Sequence, residues 1–212
     1  MSGAAVGDRA GAVVRPVIGK KPGPGDGRLG RMSLFLIYER LWRRIQAEGV
    51  RVHYNGLALD EGGHFLHDGC GKLKKPDIQI TRPFYRTPSD EPSEFLNTNA
   101  RADIKKELLI LAHEYGHCLS WKGETPPEKW GSYHAAAFRR DGAVKDGGWD
   151  AVPDTLHDAE KQLIVDEETL AWKLGRQFIP EELYAEYDEE ARRGVHNHRY
   201  RLGLDELWPE DG

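Results

Sequence analysis

A chain of 212 residues can bury one substantial core, and it is short for two. Its 39% hydrophobic and 31% charged residues fit a globular protein with a well-charged surface, and no apolar run approaches the roughly 18 residues needed to span a bilayer. A net charge of −5 argues against a general nucleic-acid binder.

Two cysteines, Cys70 and Cys118, make no disulfide framework, and no continuous apolar stretch near residue 1 marks a leader, so a cytoplasmic setting is expected. Residues 1–31 are rich in Gly, Ala and Pro and basic, with Arg9, Arg15, Lys20, Lys21, Arg28 and Arg31 against Asp8 and Asp26. Such a segment buries too little apolar surface to offset its ordering entropy and reads as a tail, dispensable or a docking arm. Residues 32–212 are then expected to form a single domain.

From Met32 the pattern becomes structural. Leu34, Phe35, Ile37, Tyr38, Leu41, Trp42 and Ile45 form an amphipathic stripe that Gly49 ends. Val50 to Tyr54 reads as a strand, Gly56 to Gly71 as a turn region, and the alternating, β-branched run Pro76 to Thr81 as a second strand. Pro83 to Ser93 reads as a loop. Arg101 to Ser120 reads as a helix with Ile104, Leu108, Leu111, Tyr115 and Leu119 on one apolar face. A short helix is expected over Tyr133 to Arg140, a loop over Asp141 to Pro153, and a long helix over about Leu156 to Ile179, stopped by Pro180. Glu181 to Arg193 is acidic and helical in pattern, and the last twenty residues look irregular, with Trp208 as an anchor.

The Arg101 helix carries His113-Glu114-Tyr115-Gly116-His117, an H-E-x-x-H run. Residues i and i+4 share a helix face, so His113 and His117 can offer two imidazole nitrogens to one Zn²⁺. Glu114 lies about 100° around the helix, where a carboxylate can take a proton from a water on the metal. A catalytic zinc site needs a third protein ligand and one open position. A third histidine six residues after His117 would be the common solution, but Gly123 stands there. The candidates are Glu167 and Glu168 on the long second helix, and His134.

H-E-x-x-H followed by Glu168, Ala171, Leu174, Gly175, Phe178, Ile179 and Pro180 resembles the ImmA/IrrE family of small zinc metallopeptidases over about residues 32–180. Trp172 stands where that family usually has Asn. The resemblance implies a minimal gluzincin: an α+β fold with a small mixed sheet, the H-E-x-x-H helix facing a second ligand-bearing helix, and a zinc ion held by His113, His117 and Glu168. It also implies peptide-bond hydrolysis, with Glu114 as general base, of a specific protein or peptide substrate. Glu167 remains open as the third ligand, since the apolar face of the second helix is centred nearer to it. A weaker resemblance runs to SprT-like proteases, in which an H-x-x-x-F histidine, here His134 before Phe138, completes an all-histidine site. Tyr133 or His134 could otherwise hydrogen-bond an oxyanion.

A reading from another class is a zinc-stabilised protein-binding module that hydrolyses nothing. Structural zinc is usually four-coordinate, whereas three ligands are apparent here. Among the other histidines, His64, His67, His196 and His198 are expected at the surface and His157 near the start of the second helix. Cys118 reads as a small buried residue, and Cys70 as a thiolate that could at most reach the metal.

Overall fold

A computed structural model describes residues 30–55, 62–66, 76–81 and 104–205. Expectations for residues 1–29, the Pro83 loop, His67, Cys70 and Trp208 fall outside those residues. The described elements are α1 (Arg31–Ala47), β1 (Arg51–Asn55), β2 (Gly62–Leu66), β3 (Asp77–Thr81), α2 (Ile104–Leu119), α3 (Pro127–Gly147), α4 (Val152–Thr155), α5 (Asp158–Gly175) and α6 (Tyr184–Arg201). Among them, no helix is long and apolar enough to cross a membrane.

The architecture is α+β, mostly helical, with one small mixed sheet of strand order β1-β3-β2. β1 runs parallel to β3 and β2 antiparallel to it, with Val52 opposite Ile78 and Phe65 also opposite Ile78. Val52, Ile78 and Ile80 are fully buried between the sheet and the helices. The stripes expected on α1 and α2 supply the rest of this core: Tyr38, Trp42 and Ile45 meet Leu108, Leu111 and Tyr115 in one cluster. The Tyr115 hydroxyl donates to Glu48 Oε1 at 2.5 Å, and Lys122 Nζ pairs with Glu48 Oε2 at 2.9 Å, which ties the end of α1 to α2.

Three expectations are corrected. Gly62–Leu66 lies in the stretch read as a turn, yet it forms the strand β2. Its glycines give no alternating pattern, and what holds it is the ladder to β3 and the packing of Phe65 against Trp121 and Trp130. The loop expected from Asp141 is helical to Gly147, because α3 runs unbroken from Pro127 and packs on a second small core through Ala136, Val152, Leu156, Ile164 and Leu202. The irregular end expected from Arg193 is α6 as far as Arg201, where Arg199 holds Asp205 in a two-bond pair at 2.6 and 2.8 Å.

The contact that positions the site is between α2 and α5. A Cβ on Gly116 would overlap the carbonyl oxygen of Ala171 and stand 2.7 Å from its carbonyl carbon. A Cβ on Gly175 would overlap the carbonyl oxygen of Ala112 and the Tyr187 hydroxyl. Two small residues on each helix, Ala112 and Gly116 against Ala171 and Gly175, thus let the two backbones touch. Gly116→Ala gains about 1 kcal/mol of helix propensity, but it forces the helices apart against a rigid backbone. Overpacking of this kind costs about 1–3 kcal/mol or more. The expected outcome is a melting temperature lower by about 5 °C and weakened metal binding, read by calorimetry and metal titration.

Candidate metal centre

α2 presents His113 and His117 one turn apart, and α5 presents Glu168 across the small-residue contact. His113 Nε2 lies 3.4 Å from Glu168 Oε2, and His117 Nε2 lies 3.5 Å from the same oxygen. The three donors lie within 4.8 Å of one another. In a tetrahedral site with metal–ligand distances near 2.1 Å, neighbouring donors stand about 3.4 Å apart. The two measured edges therefore match a metal-sized cradle without movement of either helix.

Charge points the same way. Glu114, Glu167 and Glu168 are 5%, 4% and 6% exposed, and among the described residues no lysine or arginine forms an ion pair with any of them. Three carboxylates taken out of water cost several kcal/mol each unless positive charge compensates them. Burial pushes the Glu114 carboxyl up to about 7, although the charge of His117 pulls it down. Burial alone would also raise Glu168, but the charges of His198 and His117 and hydrogen bonds from His113 and His117 hold it well below the usual range. For His117 burial opposes protonation, and Glu168 and Glu167 outweigh it, lifting the imidazole to about 10. Burial lowers His113 to about 4, which keeps its ring neutral and ready to donate a lone pair. The cluster is a buried group of carboxylates with two imidazoles among them, and a divalent cation fits it.

Each imidazole is oriented differently. His117 turns Nδ1 to Glu167 Oε1 at 3.4 Å, on the ring edge away from Glu168. Glu167 is fixed in turn: Ser120 Oγ donates to its Oε2 at 2.8 Å, and Thr125 Oγ1 lies 3.5 Å from the same oxygen. Ser120 and Thr125 meet each other at 2.6 Å because the end of α2 widens into an i→i+5 turn over Ser120–Glu124, closed by Thr125 N–H to Ser120 O at 3.0 Å. His113 instead stacks its ring on Trp172, with centroids 4.1 Å apart and planes 20° apart. Trp172 thus forms the wall behind one candidate ligand.

Glu114 sits beside the triad, its Oε1 4.0 Å from His113 Nε2, and the backbone N–H of Phe65 in β2 donates to its carboxylate. Tyr133 on α3 is half-buried, and burial together with the carboxylates Glu168, Glu167 and Glu114 raises its phenol, so the hydroxyl keeps its proton. His134, the other candidate third ligand, is half-buried on α3 and stands outside the triad.

Sequence reasoning missed two features. His198, expected at the surface, is 28% exposed and points Nε2 at Glu168 Oε1, 3.6 Å away. His196 is likewise part-buried, with Nδ1 3.6 Å from Asp205. The three- and four-residue spacing of Tyr187, Ala191, Val195, His198 and Leu202 was the available signal. The Ser120–Thr125–Glu167 network had none, since it depends on the widened turn. Two further expectations hold: His157 is exposed at the start of α5, where its backbone N–H meets Glu160 at 3.0 Å, and Cys118 is fully buried, while the side chain of His64 lies outside what is described. Comparison with protein-family models, curated proteins and solved structures finds no match to this chain.

Metal analysis of dialysed variants tests the ligand set. Glu168→Ala is expected to lose the metal, and His134→Ala to keep about one per chain. Glu167→Gln, which still fills the space but gives His117 a weaker acceptor, is expected to bind 10–100-fold more weakly. Full occupancy in Glu168→Ala overturns the assignment.

Proposed function

We propose that this chain is a zinc-dependent metallopeptidase that hydrolyses a peptide bond in a protein or peptide substrate. The observation that carries the reading is the three-donor cluster His113, His117 and Glu168 with the Glu114 carboxylate beside it and no fourth donor on Glu168 Oε2 among the described residues. Two histidines and one glutamate are a donor set typical of catalytic zinc, which keeps a coordination position free. Zinc held there would act as a Lewis acid, polarising a carbonyl and making a water more acidic.

The chain's own groups supply the rest. Glu114 has a carboxyl near 7, so it can accept a proton from the attacking water and pass it to the leaving amine near neutral pH. The Phe65 N–H fixes the carboxylate against β2. β2 is one of the two edge strands of the described sheet, and its backbone reaches Glu114 through Phe65, so a substrate in extended form can pair with it as an added strand. Tyr133, which burial and the three carboxylates keep protonated, would donate to the oxyanion as the carbonyl becomes tetrahedral. A reducing, cytoplasmic setting suits Cys118, whose thiol burial pushes up to about 12 and so keeps unreactive. The resemblance to ImmA/IrrE peptidases supports a specific target rather than bulk digestion.

His198 favours one other reading. If its imidazole swung from Glu168 Oε1 onto the metal, the site would close as a structural one and the domain would only bind partners. His198→Ala separates the two, because a catalytic site keeps its zinc in that variant and a structural one loses it.

The direct test is Glu114→Gln, assayed with a quenched-fluorescent peptide library. The variant is expected to retain one zinc per chain and to lose at least 100-fold in turnover. Unchanged turnover overturns the peptidase reading. In the same assay Tyr133→Phe is expected to lower kcat about 100-fold with zinc content unchanged.

A further inference from the structure

Glu168 has two carboxylate oxygens, and they have different neighbours. Oε2 stands 3.4 and 3.5 Å from the Nε2 atoms of His113 and His117, so it is the oxygen that completes the three-donor cradle. Oε1 is turned the other way, 3.6 Å from His198 Nε2, and among the described residues no other side chain forms an ion pair with it. The difference decides how many coordination positions Glu168 takes. A carboxylate free to rotate can offer both oxygens to one cation, and the second oxygen then fills the position that a water or substrate needs.

His198 is anchored by a helix that carries none of the three donors. It lies in the last turn of α6, at three- and four-residue steps from Val195 and Leu202, which pack into the second small core. A Cβ on Gly194, one turn earlier, would stand 3.2 Å from the Trp172 indole nitrogen, so α6 rests on α5 beside the residue that stacks on His113. The far edge of the ring assigns its proton. His198 Nδ1 is buried and has no hydrogen-bond partner among the described residues, so nothing there competes for the single N–H of a neutral imidazole. The proton belongs on Nε2, facing Glu168 Oε1, and a small rotation of either side chain closes 3.6 Å to a hydrogen bond. A nitrogen that carries this proton donates to the carboxylate and is no metal ligand.

We propose that His198 is a positioning residue of the metal centre: its Nε2–H holds Glu168 Oε1, so that Glu168 meets the cation through Oε2 alone and one coordination position stays open. The proposal rests on the ligand set His113, His117 and Glu168, and not on peptide hydrolysis. Its test uses the full chain loaded with cobalt(II), whose visible absorption is strong in four-coordinate sites and weaker in five-coordinate ones. His198→Leu and His198→Met remove the donor and leave no room for a water in its place. His198→Gln offers an amide N–H at similar reach. Azide is the probe for an open position.

At saturating cobalt every chain is expected to take up about one ion. The Leu and Met variants are expected to lose about half of the visible molar absorption as the second Glu168 oxygen closes on the metal, and His198→Gln to keep it. Azide is expected to shift the parent spectrum and to bind the Leu and Met variants about tenfold more weakly. Spectrum and azide affinity unchanged in both of those variants overturns the proposal and leaves the ligand set standing. A parent spectrum that azide does not shift overturns it as well, and a gain of azide binding in the variants then identifies His198 as a fourth ligand. A parent chain that takes up no cobalt overturns the proposal together with the ligand set. No substrate enters these readouts, so failure of the peptidase reading alone leaves them unchanged.

Discussion

The approach of two helix backbones at Gly116 and Ala171 is the constraint on which the site depends. Any Cβ at Gly116 or Gly175 would meet the facing backbone and force α2 and α5 apart, and the donor distances of 3.4 and 3.5 Å would be lost with it. Seen this way, the middle of the H-E-x-x-H run is a packing element as well as a spacer. The backbone carbonyl of the residue three after Glu168, Ala171, lies where Gly116 leaves room.

Around that contact the protein concentrates charge that a core would normally exclude. Three carboxylates and two imidazoles sit in one buried volume: burial raises Glu114 and lowers His113, while the mutual pull of Glu168 and the imidazoles lowers Glu168 and raises His117 against burial. Such an arrangement is costly without a cation and favourable with one, which is the signature of a site built for metal rather than for stability. The supports outside the triad act on geometry. Glu167, held by Ser120 and Thr125, sets the ring of His117, and Trp172 sets that of His113.

What could be read from the sequence was whatever local geometry fixes. Helical periodicity put His113, Glu114 and His117 on their face, and it put Glu167 and Glu168 about 100° apart, so that one meets Oε2-to-Nε2 across the triad and the other meets Nδ1. The helix α1 and strands β1 and β3 followed from hydrophobic spacing in the same manner. The choice between the two glutamates could not be read, because it turns on the rotation of α5 about its axis, and the glycine contact sets that rotation. β2 was hidden because Gly62 and Gly63 have no strand pattern and are held by partners distant in sequence. The end of α3 and the last two turns of α6 were hidden for the opposite reason: their sequences are polar, and a narrow line of contacts such as Ala136 and Leu202 is enough to hold them.

Zinc K-edge absorption on the purified, zinc-loaded protein tests the central claim most directly, because it reports ligands without needing a substrate. The account predicts four light N/O donors at about 2.0–2.1 Å with multiple scattering from two imidazoles, the remaining donors being a carboxylate and a solvent oxygen. Scattering from three or more imidazoles, or a chain that takes up no zinc, would contradict it.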